Sequence, residues 1–290
     1  MSPTPPNLQD TAPNSQNTPP SHRPRVAVVG AGPIGLEAAL EAASRGCEVS
    51  VYDAGRIGEH LLRFGWVTLF TPFAMNSSER GRARLSAADV ALPAADALLT
   101  AGEFVAHYLE PLARLPELSA GLHERTRVAA IGREGLFKSD AVMAAGDRAR
   151  VGRPFLLRVE PDGAPARFDR ADVVIDASGV YGSPRATGPS GLPALGEESL
   201  GDRIDRHLVP LAAEGGAGPR YAGRRVLLVG DGYSAATALV ELDALARRGE
   251  PARVTWVRTG DGREPFRAAP DDPLPERAAL AASANRIARE

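Results

Sequence analysis

This chain of 290 residues contains a single cysteine, Cys47. A disulfide within the chain is therefore excluded, and a reducing compartment is expected. A dithiol relay is excluded as well, because there is no C-x-x-C pair for it to use. Cys47 itself reads as a small buried hydrophobe. Lysine is scarce, and the formal net charge is −2. No overall basic field is present to draw nucleic acid or an anionic membrane, so neither is expected as a partner. No apolar run is long enough to cross a bilayer, and no signal-peptide hydrophobic stretch opens the chain; a cytoplasmic protein is the expectation. The five histidines, His22, His60, His107, His123 and His207, show no metal-ligand spacing.

What remains is a soluble globular composition, 43% hydrophobic and 24% charged, with length for one large or two ordinary domains. Residues 1–24 are rich in Pro, Asn, Ser and Thr and read as a disordered tail. Arg80, Arg82 and Arg84 read as a solvated face rather than a binding patch.

The chemistry-bearing features are two glycine-rich turns. The first lies in RVAVVGAGPIGLEAALEAASRG, with Gly30, Gly32, Pro33, Ile34 and Gly35. RVAVVG has the pattern of a buried strand, and LEAALEAAS that of an amphipathic helix stopped at Gly46. Such a turn lets a diphosphate approach the backbone, and the helix it opens offers N–H groups and a dipole that favour an anion. CEVSVYD supplies the next strand and ends in Asp53, 18 residues after Gly35, near the spacing of a ribose-binding carboxylate.

The second turn lies in RRVLLVGDGYSAATALVELDAL, with Gly230, Gly232, Tyr233, Ser234 and Ala235. A helix pattern follows it, and then ARVTWVR reads as a strand. The order strand, turn, helix, strand favours a second dinucleotide site. The alternative is that VLLVGD is a strand followed by the Gly-Asp that touches the flavin pyrophosphate and ribitol in many flavoproteins. Two dinucleotide turns in one chain point to a flavin and the nicotinamide that reduces it.

Between the turns, AGRIGEHLLRFGWVTLFTPFAMNSSERG is a long excursion carrying Phe64, Trp66, Phe70 and Phe73, candidates to wall a flavin pocket. TAGEFVAHYLEPLARLP predicts a helix with Thr100 as N-cap and Glu103 completing a capping box; Pro111 should kink or divide it. RTRVAAIG predicts a parallel strand. PFLLRVEPDGAPARFDRADVVIDASG predicts two alternating strands, a turn at PDG and a final buried strand, together a β-meander returning to the parallel sheet. RIDRHLVPLAAEGGAGPRYAG reads as a crossing between domains.

The order GAGPIG, VYD, a TP-containing loop, DASG followed by YGSPR, then VGDGYSA resembles the two-dinucleotide-binding flavoprotein superfamily. Within it the chain is most similar to flavin-containing monooxygenase-like and thioredoxin-reductase-like oxidoreductases. The resemblance implies an α/β fold: an FAD-binding Rossmann-like domain (βαβ with a β-meander) over residues 25–200, and a second, incomplete NAD(P)-binding Rossmann domain over 201–290. It implies that Gly30, Gly32 and Gly35 lie under the FAD pyrophosphate and that Asp53 meets the adenosine ribose. Val128 matches the backbone position beside adenine, and Ala177, Ser178 and Gly179 the small-residue link between the two domains. Gly230, Gly232 and Ala235 match the NAD(P) turn. Arg258 stands where an arginine in relatives pairs with the NADPH 2′-phosphate, which a guanidinium can bind bidentately. The chain departs from the monooxygenase signature between the domains, where Gly196 is followed four residues later by Leu200 rather than His. No cysteine occupies the first turn, where Ile34 sits, so thiol-disulfide reductases are poor guides to its chemistry.

The resemblance implies FAD and NADPH as cofactors (NADH as the alternative), a small-molecule substrate, and compatibility with a homodimer. In a monooxygenase of this kind NADPH reduces the flavin, which activates O2 as a C4a-hydroperoxide that oxygenates N, S or a carbonyl carbon; the cofactor carries the chemistry. Two alternatives stay open: an NADPH-dependent reductase without oxygenation, and a degenerate dinucleotide-binding module without activity. His60 and Arg63, in the excursion, are the candidate polarising groups. The resemblance also predicts a returning strand with Gly-Asp after VTWVR, and none of the remaining residues has that pattern. A C-terminally truncated chain with weak FAD binding is the expectation from this reading.

Overall fold

The computed structural model describes residues 23–137, 152–211, 215–259, 265–266 and 272–289. The tail expected over 1–24 falls outside these residues except for its last two. The first unit is built on β1 (Arg25–Val29), α1 (Pro33–Ser44) and β2 (Glu48–Tyr52). The strands pair in parallel register from Arg25↔Glu48 to Val29↔Tyr52. β1 is apolar from Val26 to Val29 because both of its faces are covered. Val26 and Val28 point into a core formed with Leu36 and Leu40 of α1 and with Phe104, Tyr108 and Leu112. Ala27 faces the other way, into a cluster with Tyr52, Leu157 and Val159. α1 stops as its sequence predicts: Gly46 takes φ +81° just beyond the Arg45 cap.

The excursion leads into α2 (Glu79–Ser86), capped by Ser78, whose hydroxyl accepts from Gly81 N at 2.8 Å. The three arginines of this helix are engaged rather than merely solvated. Arg80 pairs with Glu41 at 2.7 Å and Arg84 with Glu117 at 2.6 Å. Arg82 donates to the carbonyls of Ala74 and Ser77.

Thr100 and Glu103 form the expected capping box, but Pro111 does not divide the helix they start. Ala101–Phe104 runs on through a π-helical turn, Val105–Leu109, into Glu110–Ala113 with right-handed helical backbone at every junction. The wider turn, closed by Glu110 N donating to Val105 O, makes room ahead of the pyrrolidine ring, and Pro111 has no N–H to leave unpaired.

The third parallel strand is not RTRVAAIG. It is the two-residue β3 (Leu122–His123), paired with β2. RTRVAAIG lies in β4 (Thr126–Arg133), which pairs antiparallel with β5 (Phe155–Pro161); β5 pairs antiparallel with β6 (Arg167–Ala171). This three-stranded meander covers the second face of the parallel sheet. β7 (Val173–Asp176) then returns to lie parallel to β1, giving the order β3-β2-β1-β7. It is half-exposed rather than buried as expected, because no strand flanks its far edge among the described residues.

The second unit repeats the plan: β8 (Arg225–Val229), α3 (Tyr233–Arg247) and β9 (Arg253–Val257), with the strands parallel and in register. α4 (Pro275–Ile287) packs Ala281 and Ala284 against Ala236 and Leu239 of α3. Among the described residues this sheet has two strands.

One internal support ties α1 to the rest of the first unit. The Glu37 carboxylate accepts from the Tyr108 hydroxyl, from Ser78 N at 3.2 Å and from Ser78 Oγ at 2.6 Å. Burial raises the Tyr108 pKa, so the phenol stays a donor. A methyl group added at Gly81 would overlap the Tyr108 hydroxyl. Gly81→Ala is expected to cost about 1–3 kcal/mol, the usual range for overpacking. Adding Tyr108→Phe should recover part of that loss in urea unfolding; a silent Gly81→Ala would contradict this packing.

Candidate dinucleotide turns and the cluster beside them

At the first turn Gly30 takes φ +108° and its N–H donates to Tyr52 O at 2.7 Å. Gly32 caps α1 at φ −83°, ψ −175°, with Pro33 opening the helix. Pro33 costs nothing there, since the first-turn donors lack intrahelical acceptors. Side chains are excluded at two of the three glycines. A Cβ on Gly30 would strike the carbonyl of Ala177, and one on Gly35 would overlap the carbonyl oxygen of Gly30. At Gly32 a Cβ would meet nothing within 4 Å. The turn is thus packed tightly from behind and left open in front of the helix N-terminus, which is the cradle a diphosphate needs. Ile34 projects from it, 73% exposed.

Asp53, at the end of β2, is brought against this turn. Its Oδ2 accepts from Ala31 N and its Oδ1 from Gly55 N, both at 2.7 Å. A carboxylate oxygen has a second lone pair, so both stay able to accept a ribose hydroxyl. Ala177 N donates to Val29 O at 2.8 Å, and the Ser178 hydroxyl to Asp176 Oδ1 at 2.6 Å, while Gly179 takes φ +69°. These bonds set the Ala177–Gly179 link directly behind the first turn. Val128 packs against the cluster that contains Tyr52, and the β4 register shifts between Val128 and Ala130, a bulge that re-aims this strand.

The second turn has nearly the same backbone. Gly230 takes φ +116° and donates to Val257 O at 2.9 Å; Gly232 caps α3 at φ −82°, ψ 172°. The parallel β8–α3–β9 order matches a dinucleotide unit rather than a lone Gly-Asp ending a strand. Three differences stand out. Ala235 replaces the third glycine and is buried. The Trp256 indole props the turn by donating to Gly230 O at 2.7 Å. Asp231 accepts from the Thr259 hydroxyl, which lowers its pKa. Tyr233 and Ser234 open the helix and are exposed. Arg258 follows β9 with its guanidinium 6.0 Å from the Trp256 ring.

The excursion aromatics divide. Phe73 is 1% exposed and belongs to the core against Tyr108, so it walls no pocket. Phe70 meets Tyr233 edge-on at 5.4 Å, which joins the first unit to the second turn. Phe64 lies 5.7 Å from Tyr181. Tyr181, in the segment after the link, stacks on His207 at 3.8 Å and 12°, and His60 lies 5.1 Å from it. His60, on the short helix that Arg63 caps, thus joins a ring cluster with Tyr181 and His207, two residues that reading the sequence missed. Tyr181 lies within YGSPR, but its place beside His60 is visible only in three dimensions; His207 carries no local signal.

His207 is held in place by its neighbour. Glu197 is 3% exposed and accepts from Ala194 N at 2.8 Å, from the Thr187 hydroxyl at 2.7 Å and from Arg206 at 2.7 Å. The Ala194 amide, then the Thr187 hydroxyl and the Arg206 guanidinium, bring its pKa down to about 2, from 4.5. A depressed carboxylate stabilises the fold above its unfolded pKa and loses that contribution as pH falls through the folded value. Thermal midpoints of the parent chain should therefore fall more steeply from about pH 4.5 to about 2 than those of Glu197→Gln. Parallel curves would remove Glu197 as the anchor.

Among the described residues no helix is long and apolar enough to cross a membrane. The pyridine nucleotide-disulphide oxidoreductase family profile matches residues 7–61, the first turn and its flanking strands. No curated protein matches the chain. Among solved structures it is similar to bacillithiol disulfide reductase from Bacillus cereus: 19% identity and TM-score 0.56 over 90% of this chain and 65% of that one. The Staphylococcus aureus enzyme gives 15% identity and TM-score 0.56 over 90% and 64%. S-allyl-L-cysteine S-oxygenase from Allium sativum gives 14% and 0.50 over 88% and 55%. The chain spans about 65% of the length of the reductases it matches.

Proposed function

We propose that this chain, which fits the two-dinucleotide-binding flavoprotein superfamily, is an FAD- and NADPH-dependent oxidoreductase of monooxygenase type. The observation that carries the two-cofactor part is the matched pair of turns, Gly30/Gly32 and Gly230/Gly232, with the same backbone conformation at the same strand–helix joint. FAD reduced by NADPH supplies the chemistry when bound, which is oxygen activation in a monooxygenase and electron transfer in a reductase. The residues here bind and orient. Gly32 leaves room for a diphosphate, and Asp53 offers its carboxylate to the ribose. Gly232 repeats the opening for the nicotinamide dinucleotide, with Arg258 at the 2′-phosphate. Phe70 against Tyr233 keeps the second turn next to the excursion.

The monooxygenase reading over disulfide reduction rests on Cys47. It lies just before β2, packed against the core at the end of that strand opposite Asp53, and it is the sole cysteine of these 290 residues. A dithiol cannot form from this chain. Reduction of a quinone, a metal or another protein remains the second reading, because it too needs no cysteine. Measuring NADPH oxidation against oxygenated product, with quinone acceptors in parallel, separates the two. Product matching NADPH supports oxygenation, and turnover only with added acceptor supports the reductase.

A further inference from the structure

The neighbourhood of Tyr181 carries a donor without an acceptor. Its hydroxyl is buried and has no hydrogen-bond partner among the described residues. A buried donor left unpaired costs about 1–3 kcal/mol, so it calls for an acceptor. The ring of Tyr181 is flanked by His60, Phe64 and His207. Arg63 closes the short helix that carries His60, one turn further on. Burial raises the Tyr181 pKa, which Arg63 partly opposes, and burial followed by the Arg63 and His60 charges lowers that of His207. The carboxylate nearest to this group is Glu59, 3.6 Å from the Arg63 guanidinium, and it is also shared with Arg56. The cluster therefore combines aromatic rings, one unpaired buried hydroxyl and a guanidinium. Glu197 and Arg206 fix its far side by anchoring the residue next to His207.

We propose that Tyr181, His60, His207 and Arg63 form a binding site for the anionic group of a small planar substrate, a carboxylate on or beside an unsaturated ring. This rests on the oxidoreductase reading only in naming the ligand a substrate; the site itself stands on the residues. A carboxylate would take the Tyr181 O–H and an Arg63 N–H, and charge-assisted bonds of this kind are about twice as strong as neutral ones. The His60 and Phe64 rings, tilted against Tyr181 rather than stacked on it, would meet the flat part of the molecule.

Benzoate and its neutral isostere benzamide are the probes, titrated calorimetrically into the purified full chain. Benzoate should bind at least tenfold more tightly than benzamide. Tyr181→Phe and Arg63→Gln should each weaken benzoate about tenfold or more and leave benzamide within about twofold, and Tyr181→Phe should not lower the thermal midpoint of the unliganded chain, since it removes the unpaired donor. Equal affinity for the two probes, no benzoate binding, or full benzoate affinity in Arg63→Gln would overturn the proposal. A chain that retains FAD and oxidises NADPH but ignores benzoate would sink this site alone. One that binds benzoate as stated but neither holds FAD nor oxidises NADPH would keep the site and sink the function.

Discussion

Gly32→Val is expected to fold like the parent chain and to lose FAD. The two halves of that expectation come from the same geometry. Gly32 has φ −83°, ordinary for any residue, and a side chain there meets no protein atom within 4 Å. The fold loses only a helix cap, worth about 1 kcal/mol at most for exchanging glycine for an aliphatic residue. The space a valine would fill is the space in front of the α1 N-terminus, where a diphosphate must come to reach the amides. Gly35→Val is the contrast. Its Cβ would overlap the Gly30 carbonyl oxygen, so it should destabilise the whole first unit by several kcal/mol, and FAD loss would follow from unfolding. Circular dichroism and the thermal midpoint separate the two, and the visible flavin absorbance after desalting reads retention. A folded Gly32→Val that kept stoichiometric FAD would show that the turn does not hold it.

How much of this was legible beforehand follows the range of the interactions. The βαβ units could be read because each is a local pattern: VAVV, a helix stripe, then VSVY, all within about thirty residues. The capping box at Thr100 and the stop at Gly46 are shorter still and were equally clear. β3 could not be read, since two residues carry no period; the longer RTRVAAIG drew the assignment because its apolar pattern suits either kind of pairing. Pro111 does not divide its helix because the rule for proline assumes an α-helical ladder, and a π turn upstream removes the clash. The Tyr181 cluster was out of reach for another reason. Its members, at positions 60, 63, 181 and 207, lie in three separate segments, and only the chain's return past the first turn brings them together.

Arg258→Ala is expected to raise the Michaelis constant for NADPH roughly 10–100-fold and to leave that for NADH nearly unchanged. A guanidinium bound to a phosphate dianion contributes about 1.5–3 kcal/mol, which is that range in affinity. The 2′-phosphate is the only group by which the two cofactors differ, so only an interaction with it can split the two constants. The position is right for this. β9 ends at Val257, its register brings Val257 O to Gly230 N at 2.9 Å, and Arg258 therefore emerges beside the second turn. An acid after this strand would instead favour the 2′-hydroxyl of NADH. The substitution also removes the guanidinium near the Trp256 ring, and Trp256 props Gly230. If that support were what mattered, both Michaelis constants would rise together, because both cofactors place the same pyrophosphate on the same turn. Arg258→Lys adds a second reading: it keeps the charge but not the bidentate fork, so it should recover NADPH binding only in part. Equal losses for NADPH and NADH would assign Arg258 to the turn and leave the 2′-phosphate without a partner at this position.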